Sequence, residues 1–390
     1  MIDHSAHKQR LAVSLNRFRR WFCDAALPLW IKRGYDHRGG GFYEALNFDA
    51  TPSLGRVRRT RAQARQIHVF SQAAMQGWNS SAEDLAARGF DFYLEHACPD
   101  GGARGCAHLL DHKGHVLDDR RDLYDQAFLL LACASRWQAA KDARALDLAN
   151  ITIAFLTREL ASPHGGWFES DRKELPRRQN PHMHLFEAFM ALFQATQDAA
   201  YLDFAEHIMI ACFAKFYDGE NGVLHERFDA VLHHDDKDRL IEPGHMFEWV
   251  WLLHRYEELA SANYSSARAA LYKRGADFGE DGAFHGFVNN TAIAGEPAKA
   301  GDKRLWPQTE YLRASLVQAS YGDNAAAARA GALIDSLFDT YLNVDPAGLW
   351  IDEFDARGEP AAKDVPGSIL YHLFEAVAEA DNYLKTESAG

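Results

Sequence analysis

At 390 residues, 47% hydrophobic and 25% charged, the chain has the make-up of a globular protein able to bury a sizeable core. Its net charge of −13 argues against a nucleic-acid partner, which would want a basic surface. The longest apolar run, Ala127 to Ala134, is far too short to span a bilayer.

A short Gly-aromatic-acidic phrase then returns six times along the chain. The copies are Gly39-Gly40-Gly41-Phe42-Tyr43-Glu44, Asp100-Gly101-Gly102, Gly165-Gly166-Trp167-Phe168-Glu169, Asn221-Gly222-Val223-Leu224-His225-Glu226, Asp281-Gly282-Ala283-Phe284-His285 and Ala347-Gly348-Leu349-Trp350-Ile351-Asp352-Glu353. They lie about 55 to 66 residues apart, a repeat long enough to be one supersecondary unit. Each reads as a tight turn between short strands.

Taken in chain order, the helices come in two kinds. The first, roughly 6–34, carries Leu11, Leu15, Phe18 and Phe22 on one side and reads as an outer helix. The stretch His184 to Phe193 is apolar nearly all round, the pattern of a helix buried on every side. The next has a single stripe (Tyr201, Phe204, Ala205, Ile208, Met209, Cys212, Phe213, Phe216) with Asp203, Glu206 and Lys215 on other faces. The last, roughly 367–384, reads as an inner helix with no successor, so pairing it with the first closes a ring. The predicted fold is an all-α (α/α)6 toroid, with short β-hairpins between repeats and residues 1–390 forming one domain. Five cysteines, odd in number and without metal-like spacing, read as reduced, mostly buried thiols. The N-terminus has no apolar signal core, so the expected location is cytoplasmic.

The chemistry is expected where the inner helices begin, roughly 18 to 24 residues beyond each turn. There the sequence reads Arg65-Gln66-Ile67-His68, Leu123-Tyr124-Asp125-Gln126, His182-Met183-His184-Leu185-Phe186-Glu187, His245-Met246-Phe247-Glu248, Trp306-Pro307-Gln308-Thr309-Glu310 and His372-Leu373-Phe374-Glu375. A closed ring would converge Arg65, Tyr124, Asp125, His184, His245, Glu248, Trp306, Gln308, Glu310 and His372 on one pocket. His184, His245 and His372 each stand in a His-x-x-Glu pair, which sets both side chains on one helix face. A lone buried His beside Glu is commonly a structural pair; three at matched positions favour a shared site. Without a His-Glu-x-x-His signature or a cysteine in the set, no metal is expected. Two carboxylates flanking a glycosidic bond would make a glycosidase. However, imidazoles lead this set, and they suit proton transfer near neutrality.

The runs Asn180-Pro181-His182-Met183-His184-Leu185-Phe186-Glu187, Glu242-Pro243-Gly244-His245-Met246-Phe247-Glu248-Trp249, Trp306-Pro307-Gln308-Thr309-Glu310 and Tyr371-His372-Leu373, with Arg65 to Ser71 and Asp122 to Phe128, resemble the N-acylglucosamine 2-epimerase family. That family includes mannose isomerases, sulfoquinovose isomerases and cellobiose 2-epimerases. The resemblance implies an (α/α)6 barrel that interconverts sugars through a cis-enediol, with no cofactor or metal. It places Arg65, Asn180, His184, His245, Glu248 and His372 on substrate-binding and catalytic positions. His372 is the expected base, and His245, oriented by Glu248, the complementary acid. Trp306-Pro307-Gln308 departs from the Trp-Val-Gln run of the cellobiose epimerases, which points away from a disaccharide.

The expected reaction is aldose–ketose isomerisation of D-mannose and D-fructose by a monomer or homodimer acting on a free monosaccharide. Sugar 2-epimerisation is the alternative. Basic residues ahead of the inner helices (Arg56, Arg58, Arg59, Arg61, Arg120, Arg121, Arg177, Arg178, Lys303 and Arg304) pair with hairpin acids such as Glu44, Glu169 and Asp171, or form a mouth for a phosphorylated or sulfonated sugar.

Overall fold

A computed structural model describes residues 4–389. Six inner helices alternate with six outer ones. The inner set is Thr60–Met75, Leu123–Ala140, Gln179–Thr196, Pro243–Ala260, Leu305–Ser320 and Ile369–Ala389. These are buried at almost every position of their first three turns, where apolar residues alternate with buried polar ones such as Gln63, Arg65, Gln126, His184 and Glu310. The outer rods bury one stripe each. They begin with His4–Trp21, Ala82–Phe92, Ala143–Phe155, Ala199–Ile208, Ser265–Gly279 and Asn324–Asp339. Asp142, Asp198 and Asp323 cap three of them by accepting from backbone N–H groups of the first turn. The all-α toroid expected from the repeat is the fold observed.

What closes the ring is a recurring strand exchange. The two or three residues just before an inner helix pair antiparallel with the hairpin of the next unit. Arg58–Arg59 pairs with Leu109–Leu110, Arg177–Arg178 with Arg227–Phe228, Leu240–Ile241 with Ala292–Ile293, and Lys303–Arg304 with Glu353–Phe354. A single bridge, Asp122 to Ser170, replaces the second pair. The sixth, Val365–Pro366, returns to Ala45–Leu46 of the first unit. At the same seam Trp30 stacks on Trp350 with ring centroids 4.9 Å apart, and Arg19 reaches Asp381 at 3.0 Å.

Four of the glycine-phrase turns are held by the fourth residue of the following inner helix. Gln63 accepts from the N–H of Phe42 and donates to its carbonyl, and Gln126 does the same to Cys106. His182 accepts from the N–H of Trp167, while Gln308 grips both backbone groups of Val288. These four turns are thereby fixed to the starts of their inner helices, where the predicted site residues lie.

Candidate active site

The first turns of the inner helices enclose a cavity of about 210 Å³ at one end of the ring axis. Arg65, Tyr124, Asn180, His184, His245, Glu248, Trp306 and His372, all expected there, line it, together with Arg59, Arg61, Glu242, Arg304, Ser368 and Ile369. Asp125, Gln308 and Glu310 do not. Asp125 is buried behind the wall, pairing with Arg61 at 3.0 Å and with His108 Nδ1 at 2.5 Å. Gln308 holds the fifth turn. Glu310 stands behind His372.

Each histidine has its own carboxylate, and only one is the partner the His-x-x-Glu spacing predicts. His184 Nδ1 lies 3.0 Å from Glu187. The Nδ1 of His245 instead meets both oxygens of Glu226, at 3.0 and 3.1 Å, with Glu242 at 3.4 Å. Glu226 is the acid of the fourth glycine phrase, carried beside His245 by the hairpin. His372 Nδ1 lies 2.8 Å from Glu310, and its expected partner Glu375 turns to His68 Nε2 at 2.8 Å. The spacing rule fails because inner-helix side chains meet the hairpin of their own unit, as His245 meets Glu226, or the helix of a neighbouring one, as His372 meets Glu310. Glu248, expected to orient His245, makes no hydrogen bond among the described residues. Its nearest imidazole is His184 Nε2, at 3.7 Å.

These surroundings drive the two outer histidines apart in charge. Burial pushes His372 well below the ordinary imidazole value, and Arg65, His184 and Arg313 add to the effect. Burial also opposes a charge on His245, yet Glu226 and Glu242 outweigh it and raise the ring to about 10. Asn180 Nδ2 stands 2.9 Å from His245 Nε2, an arrangement that suits a neutral ring. An imidazolium would take the Asn180 oxygen instead. The carboxylates decide the charge, because the amide can rotate by a half-turn and they cannot leave. Burial, Glu310 and Glu187 push the Glu248 carboxyl well above its usual range. His184 is driven low by burial, Arg65 and His245. Trp306 lies between the cationic and the neutral histidine, its ring 5.2 Å from His245 and 5.5 Å from His372. Arg65 donates to Tyr124 Oη at 2.7 Å and sits 4.1 Å over the Phe128 ring.

The rim cations are largely matched. Arg59 pairs with Glu44, Arg304 with Asp352 at 3.0 Å, and Arg178 with Glu169 at 2.7 Å, the acids again coming from the glycine phrases. Among the described residues, three groups at the pocket bring possible metal-ligand atoms within 4.8 Å of one another: His184, Glu187 and Glu248; Glu226, Glu242 and His245; and Glu248, Glu310 and His372. In all three, the histidine's Nδ1 is already held by a carboxylate, so a metal would have to use Nε2, with Glu248 beside His184 or His372.

The family description N-acylglucosamine 2-epimerase (GlcNAc 2-epimerase) matches residues 41–376. The chain belongs to the N-acylglucosamine 2-epimerase family. A mannose-6-phosphate isomerase of Rhizobium meliloti is 33% identical over 389 residues, covering 94% of this chain and 96% of that protein. A D-mannose isomerase of Marinomonas mediterranea is 25% identical, covering 71% and 74%. The cellobiose 2-epimerase structure from Spirochaeta thermophila shares the fold with a TM-score of 0.85 at 23% identity, covering 99% of each chain. The chain is thus an enzyme of the isomerase class, an isomerase or epimerase of this superfamily. No helix among the described residues is long and apolar enough to cross a membrane.

Sequence reasoning missed Glu226 and Glu242 as site residues. The signal for Glu226 was present, since the acid recurs in the glycine phrase and therefore recurs beside the pocket wall.

Proposed function

We propose that this chain is an aldose–ketose isomerase that interconverts free D-mannose and D-fructose. The observation that carries the reading is a neutral His372 and a cationic His245 on either side of Trp306, a base and an acid available together at neutral pH.

On the open-chain aldose, His372 Nε2 takes the C2 proton. The bonding pair forms the C1–C2 double bond, and the carbonyl oxygen takes a proton from His245 to give the cis-enediol. His372 then delivers its proton to C1 on the same face. The O2 proton returns to His245 as C2 becomes the carbonyl, leaving both rings as they began. Arg65, fixed by Tyr124 and Phe128, faces the developing oxyanion as a preorganised cation. Glu248, held in its acid form, offers an O–H to a sugar hydroxyl, and Asn180 and His184 hold others. The relatives named as mannose isomerases support the substrate class.

A phosphorylated hexose is the second reading. It is favoured by the guanidinium groups of Arg59, Arg61 and Arg304 on the pocket wall and by the name of the Rhizobium relative. The acids Glu44, Asp125 and Asp352 already compensate those cations, which supports a neutral sugar. Kinetics with mannose and mannose 6-phosphate separate the two; a strong preference for the phosphate overturns the neutral assignment. Mannose in D₂O tests the reaction, with fructose deuterated at C1 expected as the early product. Glucose deuterated at C2 as the dominant early product would make this enzyme an epimerase.

A further inference from the structure

Behind the catalytic pocket lies a second cavity of about 250 Å³, lined by later turns of the inner helices, including His68, Glu187, Trp251 and Glu375. The layer between the two cavities is charged, which is unusual for the middle of a protein. At its centre is Arg313, with no exposed surface, three residues after Glu310 on the fifth inner helix. One Arg313 nitrogen donates to Glu310 Oε2 at 2.7 Å and another to Glu375 Oε2 at 3.2 Å. Its guanidinium lies 4.0 Å over the Trp251 ring. The other oxygen of Glu310 meets His372 Nδ1 at 2.8 Å, and the other oxygen of Glu375 meets His68 Nε2 at 2.8 Å.

We propose that Arg313 is a positioning residue that keeps Glu310 ionised against His372 Nδ1 and so fixes His372 in the tautomer whose Nε2 is free to accept a proton. The proposal rests on the isomerase reading above for the role of His372, and goes beyond it in naming what makes that ring a base. A buried guanidinium cannot shed its proton, so it needs an anion beside it, and Glu310 is the nearer of two. An ionised Glu310 can only accept, which obliges His372 to carry its proton on Nδ1. A protonated Glu310 could donate to Nδ1 instead, moving the ring proton to Nε2 and leaving the ring unable to take a proton from carbon.

The net effect of its surroundings leaves the Glu310 carboxyl above its ordinary value, so its ionisation leans on the guanidinium beside it. Burial raises the Glu310 carboxyl, and Arg313 is the largest influence drawing it back, helped by His184 and Arg65. Glu187, Glu375 and Tyr371 also face Arg313 from the third and sixth inner helices, and Glu248 faces Glu310 from the fourth. Glu187 is engaged by His184 Nδ1 and Tyr371 Oη, and Glu375 by His68. Glu310 is therefore the anion whose charge state depends most on Arg313.

The test reads kinetics and tautomer together. In R313M, kcat should fall by at least about 10²-fold with KM within about threefold, because the ring's position is kept and its basic nitrogen lost. R313K, which retains a charge but not the two-armed geometry, should recover part of that loss. A folded R313M with wild-type kcat overturns the proposal. Long-range ¹H–¹⁵N spectra of the wild type, with His372 assigned by comparison with H372N, should show Nδ1 protonated and Nε2 bare at pH 7. A proton on Nε2 overturns it, whether or not R313M folds. A wild type that turns over no hexose would remove the isomerase reading while leaving the tautomer to be measured.

Discussion

The two histidines flanking Trp306 differ because their carboxylates come from different places. Glu226 and Glu242 surround His245 with negative charge, whereas His372 has a carboxylate that Arg313 neutralises. His245 should therefore make stability depend on pH. Its value is raised from 6.5 to about 10 in the folded chain, so the contribution is complete below about pH 6.5 and is lost as the pH climbs through about 10. E226Q removes the main attraction. Denaturant unfolding should show the wild type ahead of E226Q near neutrality, with the gap narrowing toward pH 10. A gap that widens with pH would mean His245 is neutral in the folded protein. The same substitution should depress kcat by roughly 10²-fold, since the acid would no longer hold its proton. Exhaustive chelation should leave activity unchanged, and loss restored by one divalent ion would bring the Glu248, Glu310 and His372 group into the mechanism.

The helix starts depend on close approach. A Cβ added to Gly244 would meet the Trp306 indole at 2.5 Å and Pro307 at 3.0 Å, so a bare backbone lets the fifth inner helix lay Trp306 against the fourth. G244A should displace that ring from between the histidines. The expected result is a lower kcat/KM with only modest loss of stability, measured by sugar kinetics and thermal melting; unchanged kinetics would mean the indole position is unimportant. Much at this scale was legible in the sequence. The six phrases, the all-round apolar helices and the run of Arg, Asn, His and Trp at matched distances give the ring and most of the pocket wall. The orientation of each side chain was not legible, because it is settled between units. His184 and Glu187 are three residues apart, but His372 and Glu310 are 62 apart and His68 and Glu375 307 apart. Asp125 and Gln308 were read as pocket residues because position along a helix does not reveal which way a side chain turns; both support the hairpins instead.

Over the whole molecule, an acidic chain surrounds a pocket that holds four arginines, each cation balanced or caged, so net charge says little about the site. The ring's integrity converges on the seam. Gly348 has φ +102, and a Cβ there would come within 2.7 Å of the Ala25 carbonyl oxygen, on the helix that also carries Trp30. G348A should cost about 1–3 kcal/mol, read from urea unfolding. A cost near zero would show that the seam yields easily.

Closure also bears on how the chain reaches its folded form. An open array of repeats can assemble from any point and loosen from its two end units, each of which lacks a neighbour. Here Val365 and Pro366 must find Ala45 and Leu46, contacts more than 300 residues apart, and that search delays them until most of the ring exists. The seam is then the last joint made. The seam amides of Leu46, Val365 and Gly367 should gain protection from hydrogen exchange after those of the inner helices, although in the finished ring neither flank is an end.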